Sequence, residues 1–168
     1  SAPGTLEFGG GTLTGTAAEL DNLTWTGGTY SGTGLKLVEG GTLTLAGGNK
    51  TFSGVLETQG LTEWQSGSIV TGNTASTWNN TATGVWDIQN NLIFDNVSNN
   101  GTIAVINNAG TLRKSAGDGT ATIEASTNNS GVIDTQSGVL ALTFGGNSSG
   151  TFQTSSAAAT QLNGSHIL

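Results

Sequence analysis

Catalysis and metal binding both need a concentrated group of titrating or ligating side chains, and this chain offers few. Its one histidine, His166, stands near the end of the sequence and reads as an exposed terminal residue rather than a triad base or a metal ligand. The carboxylates are scattered from Glu7 to Asp134, with Glu19 and Asp21 the only close pair. A glycosidase holds two carboxyl groups about 5–10 Å apart. Stacked coils would bring Asp87, Asp95 or Asp134 together, and this keeps a carbohydrate-active protein as the alternative reading. Calcium takes several oxygen ligands from one loop; SAGDGT supplies the single carboxylate Asp118, which makes at most a weak site. The glycine run GGGTLTG is followed by neither the lysine nor the helix of a phosphate loop. No cofactor and no metal are expected.

The tryptophans carry a second kind of chemistry, because an aromatic face on a sheet stacks on sugar rings as readily as it fills a core. On the carbohydrate-binding alternative, Trp64, Trp78 and Trp86 form the platform. Against it, Trp25 keeps phase with Leu23 and Trp86 with Ile88, so the core is the expected place for them. Eight N-x-S/T triplets would accept glycans in a host able to attach them.

What positions these residues is a repeated phrase, a glycine followed by alternating apolar and polar residues. Gly101, Gly110, Gly119, Gly131, Gly138 and Gly150 each open one. A side-chain period of two marks half-buried strands. It places Ile103 with Val105 on one face of GTIAVI, and Leu140 with Leu142 on one face of GVLAL. Further upstream, Leu35, Leu37, Leu43, Leu45, Phe52 and Leu56 form an inward set. LTWTGGTY returns 39 residues later around Trp64. Asn pairs recur at 79–80, 90–91, 99–100, 107–108 and 128–129, as an amide ladder at a coil corner requires. Only Ala17–Leu20 and Ala157–Leu162 leave room for a helical turn.

An antiparallel sandwich or barrel would also use short strands, but it needs different strands at edge and centre, whereas here the phrase repeats. The expectation is therefore an all-β parallel solenoid, one domain over residues 1–168, with six to eight coils of about 20–30 residues and negligible helix. The chain is acidic, with a formal charge of −7 and only Lys36, Lys50, Arg113 and Lys114 to meet phosphates, which argues against a nucleic-acid partner. It contains no cysteine, so neither disulfides nor thiolate sites hold it. No apolar run approaches the roughly 20 residues of a membrane span.

The stretch NNAGTLRKSAGDGTATIEASTNNSGVIDTQSGVLALTFGGNSSGTFQT, together with LTWTGGTYSGTGLKLVEGGTLTLAGG, resembles the Gly/Thr/Asn-rich β-helical repeats of large secreted bacterial surface proteins, the autotransporter- and haemagglutinin-like passengers. The resemblance implies a right-handed β-helix, export to the cell surface or matrix, and a noncatalytic role as adhesin stalk or fibre subunit. Cell-surface or matrix polysaccharide is the partner it suggests. An uncovered end rung templates further stacking, and neither TLEF nor TQLNGSHIL carries an amphipathic helix or charged cover. Head-to-tail self-association is accordingly expected, through Leu6 and Phe8 at one end and Leu162 and Leu168 at the other.

Overall fold

Strand after strand keeps one burial rhythm, a residue outward and the next inward. Val105–Asn108 turns Ile106 and Asn108 inward, and Thr111–Lys114 turns Leu112 and Lys114 inward. The computed structural model, which describes residues 5–168, winds such strands into a β-solenoid of eight turns. No helix occurs among the described residues. Every strand pairing there is parallel, so no antiparallel sandwich or barrel is present. Of the two stretches with room for a helical turn, Ala18–Leu20 is extended within Ala18–Trp25, whereas Ala157 lies in a turn closed by Ala158 N–H to Ser155 O at 3.0 Å before the strand Ala159–Leu162.

Each turn has three faces. Face one holds the starts of the long strands Ala18–Trp25 and Leu35–Leu45, then Val55–Thr58, Thr77–Asn80, Val105–Asn108, Ser126–Asn129, Gly146–Asn147 and His166–Ile167. Face two holds Thr5–Phe8, the ends of the two long strands, Leu61–Trp64, Val85–Ile88, Thr111–Lys114, Val132–Thr135 and Thr151–Thr154. Face three runs from Thr12–Leu13 through Gly28–Tyr30, Lys50–Phe52, Ile69–Thr71, Ile93–Asn96, Thr120–Ile123 and Val139–Leu142 to Ala159–Leu162. The coil length ranges from 17 residues, where Thr5 lies beside Asn22, to 29, where Ile93 lies beside Thr122. The shortest coil is thus tighter than the repeat suggested.

In a parallel stack every side chain sits about 4.8 Å above its counterpart, so the interior resolves into columns. One face-two column reads Phe8, Trp25, Leu45, Trp64, Ile88, Lys114, Thr135, Thr154. The 39-residue echo of Trp25 in Trp64 is therefore a step of two coils, with Leu45 between. The aromatic residues join across faces as well: Trp78 stacks on Trp86 at a centroid distance of 4.2 Å, and Phe52 meets both Trp78 and Phe94 edge-on. One phase assignment is corrected. In GTIAVI the inward residues are Ala104 and Ile106, while Ile103 is exposed and Val105 lies on the outer side.

Repeated glycines mark close approach of successive corners. Gly110, Gly131 and Gly150 stack at the corner between faces one and two, where a Cβ on Gly131 would run into the carbonyl oxygen of Gly110, and one on Gly150 into that of Gly131. At these corners the phrase opens on glycine because nothing larger fits beneath the previous turn, whereas a Cβ on Gly101 would meet nothing.

Candidate functional site

Polar chemistry concentrates in ladders, and the longest runs inside face one. There the column Leu20, Leu37, Thr58, Asn80, Asn108, Asn129, Ser148 passes from apolar to polar along the axis. Trp78 Nε1 donates to Thr58 Oγ1 at 3.2 Å, and Thr58 Oγ1 donates to Asn80 Oδ1 at 3.3 Å. Asn80 Nδ2 donates to Asn108 Oδ1 at 2.7 Å, Asn108 Nδ2 to Asn129 Oδ1 at 2.8 Å, and Asn129 Nδ2 to Ser148 Oγ at 3.1 Å. From Thr58 to Asn129 every donor points to the following coil, so each bond polarises the next. The amides also close the corner: Asn108 Nδ2 reaches the carbonyls of Gly110 and Val132 at 3.3 and 3.0 Å. Buried backbone oxygens at a two-residue bend need such partners.

Outside the same strands runs a second amide ladder of opposite sense. Asn107 Nδ2 donates to Asn79 Oδ1 at 2.9 Å, and Asn128 Nδ2 to Asn107 Oδ1 at 3.0 Å. Thus three of the Asn pairs, 79–80, 107–108 and 128–129, each place one amide inside and one outside. The other two pairs do not join: Asn91 Oδ1 receives the Gly119 N–H at 3.0 Å, and Asn100 Nδ2 donates to the Asn73 carbonyl at 3.1 Å.

A third set of donors serves the corner between faces two and three. Trp25 Nε1 donates to Gly27 O at 2.9 Å and Trp64 Nε1 to Gly67 O at 2.8 Å. In the coil between them the equivalent residue is Leu45, which has no donor, and Lys50 on face three bridges instead to Gly48 O at 2.7 Å and Ser66 O at 3.1 Å. Lys114 occupies the Trp column and donates to Ala116 O at 2.8 Å and to Gly117 O. Burial lowers both ammonium groups, Lys50 to about 8; for Lys114 nearby Asp118 opposes the shift. The inward position of Lys50 and Lys114 was not singled out from sequence, although each keeps phase with an apolar neighbour, Phe52 and Leu112.

Charged groups on the outer surface pair locally. Arg113 clamps Asp87 with two bonds, Nε to Oδ1 at 3.1 Å and Nη2 to Oδ2 at 2.9 Å. Burial works against the Asp87 charge, but the bonds from Arg113, Ser115 and Gln89 outweigh it and hold the carboxyl below its ordinary value. Glu63 lies one coil before Asp87 and Asp134 one coil after Arg113, whereas Asp95 is on face three beside Val70. Of the three carboxylates expected to approach one another, Asp87 and Asp134 therefore share a face but have Arg113 between them.

The remaining sites are placed plainly. Trp64, Trp78 and Trp86 are all 0% exposed, so none presents a face to a sugar; alternation had put them in the core, and there they are. His166 is half-buried rather than exposed, its Nε2 3.0 Å from the Asn163 carbonyl. Asp118 is exposed, and the neighbouring carbonyls that a calcium ion would take receive Lys114. No group of three or more His, Cys, Asp or Glu side chains is close enough to hold a metal among the described residues. No helix there is long and apolar enough to cross a membrane. Leu6 and Phe8 lie in the first described coil, Leu6 44% exposed, and Leu162 and Leu168 lie at the other end, Leu168 78% exposed. Protein-family models, curated proteins and solved structures were compared with the chain, and none matches.

Proposed function

We propose that the chain is a noncatalytic structural element of an extracellular bacterial surface or matrix fibre, serving as a stalk segment or as a subunit that stacks end to end. The observation that carries this reading is the in-register parallel stack, in which every described rung pairs with the rungs beside it. The first described strand, Thr5–Phe8, is on face two and the last, His166–Ile167, on face one, so the turns break off at the same corner. A following coil would lay its face-two strand on Thr151–Thr154, next in the path. With the spacing kept, Leu6 would fall on Phe152 and extend the column Leu6, Leu23, Leu43, Thr62, Trp86, Leu112, Ile133, Phe152. A coil laid there would continue the parallel pairing that every described rung makes.

The interior supports the same role. Apart from Trp86 Nε1 and Thr62 Oγ1, its donors are committed to neighbouring rungs or corner carbonyls. A head-to-tail contact that does not close into a ring grows into a filament.

Sedimentation velocity and electron microscopy of the purified chain across a dilution series test the reading, with Leu6→Lys and Leu168→Lys as controls. Concentration-dependent filaments, shortened or abolished by the lysines, are expected. Uniform monomers indifferent to both changes would exclude the self-stacking subunit and leave the stalk segment.

A further inference from the structure

A groove of about 660 Å³ runs along the outside of face one over four successive coils, from Asn107 to Ile167. It begins where the corners shorten. The bend after Asn80 spends four residues, Thr81 to Gly84, whereas those after Asn108, Asn129 and Ser148 spend two. The walls are the outer amides Asn107, Asn128 and Asn147 and the corner residues Ala109, Ser130 and Ser149, and Ile167 and Leu168 close its far end. No charged side chain lines it, although the chain carries a formal charge of −7.

The outer ladder fixes these amides while using only part of their capacity. A primary amide has two N–H donors and a carbonyl oxygen with two lone pairs. Asn107 and Asn128 each give one N–H to the coil before, and Asn128 Oδ1 receives the Asn147 backbone N–H at 3.2 Å. One N–H on each of Asn107 and Asn128 remains, held in place by the ladder, and the Asn147 side chain is exposed. The hydroxyls of Ser130 and Ser149 project from exposed corners beside them. Donors and acceptors therefore recur at the rung repeat of about 4.8 Å, already ordered, so a ligand does not bear the cost of fixing them.

The complement of such a row is a long, uncharged chain whose units are each about one rung in length and carry hydroxyls along their edges. An extended β-linked glycan has this form, its sugar rings repeating at close to the rung spacing. A polyanion would find no cation in the groove and would approach an acidic molecule. We propose that the groove is a binding site for a neutral, extended β-linked glycan, held along the solenoid axis by Asn107, Asn128 and Asn147 with Ser130 and Ser149. This site is separate from the buried tryptophans, and its row of amides, Asn107, Asn128 and Asn147, lies on coils before the last one described.

Saturation-transfer difference NMR reads the ligand and works on monomers and filaments alike. The probes are cellohexaose, laminarihexaose, β-mannohexaose and chitohexaose, with hexagalacturonate as the charged comparison. Two variants attack the groove differently: Asn107→Ala with Asn128→Ala removes the donors, and Ser130→Trp fills the groove from an exposed corner without touching either ladder. Gln161→Ala on face three is the control. Transfer to at least one neutral hexaose is expected, weakened about tenfold or more in both groove variants, kept in the control and weaker for the uronate. If the double variant fails to fold, Ser130→Trp decides alone. Absence of transfer to all four neutral hexaoses at millimolar concentration overturns the proposal, as does transfer that survives the groove variants.

Discussion

Two tryptophans of equal burial differ in one atom's partner, and that difference sets what each should cost to replace. Trp64 Nε1 satisfies the Gly67 carbonyl, whereas Trp86 Nε1 has no partner and lies one rung from Thr62 Oγ1, which has none either. Removing a satisfied donor strands a buried acceptor at a cost of about 1–3 kcal/mol; removing an orphan donor strands nothing. Trp64→Phe should therefore destabilise by about 1–3 kcal/mol more than Trp86→Phe, measured by denaturant unfolding. Equal losses would show that the corner bond contributes nothing. Lys50 gives a prediction in pH. Burial lowers its folded value to about 8, against an unfolded value of about 10.4. Between these limits the unfolded chain binds more protons, so stability rises with pH across that window, and below it the cost of the buried charge is constant. The melting temperature of the wild type should rise relative to Lys50→Met from pH 8 to pH 10; parallel curves would contradict the buried charge.

At the scale of the strand and its corner, two substitutions test what spaces the rungs and what ties them. Gly131→Ala drives a Cβ into the Gly110 carbonyl oxygen, which is backbone and held by the coil before; overpacking of this kind costs about 1–3 kcal/mol. Asn108→Ala leaves Asn80 without its acceptor and Asn129 without its donor, and frees the corner carbonyls of Gly110 and Val132. With more than one buried group orphaned, the loss should exceed about 3 kcal/mol. Thermal melts of the two variants check both values, and a loss under 1 kcal/mol for Asn108→Ala would contradict the ladder. Alternation made much of this legible in advance. Leu140 and Leu142 follow it, as do Leu35 and Leu37, and three of the five Asn pairs take the ladder role expected of them. At GTIAVI the period of two holds but in the opposite phase: Ala104 and Ile106 face inward with Asn108, so Ile103 and Val105, the bulkier apolar pair, face out. The outer amides stayed hidden for another reason. An outward Asn in a strand looks like any solvated residue, and only the register that stacks Asn79, Asn107 and Asn128 makes it part of a surface.

For the whole molecule the account rests on one geometric idea: a column of coils whose ends resemble its middle. Its interior changes character along the axis without changing its cross-section, from the leucines around Leu23 and Leu43, through the aromatic cluster of Trp78, Trp86 and Phe94, to the Asn ladder. Each rung is satisfied mainly by its neighbours, and on the proposed stacking a second copy would supply that neighbour at an end coil. Cryo-electron microscopy of assemblies formed at high protein concentration measures this directly. If copies stack through their end coils in register, the layer lines must show a strand spacing of about 4.8 Å and an axial subunit repeat of about 38 Å, eight rungs of that height. Assemblies whose subunit repeat departs from a whole number of rungs, or whose contacts run side to side between faces, would contradict the account.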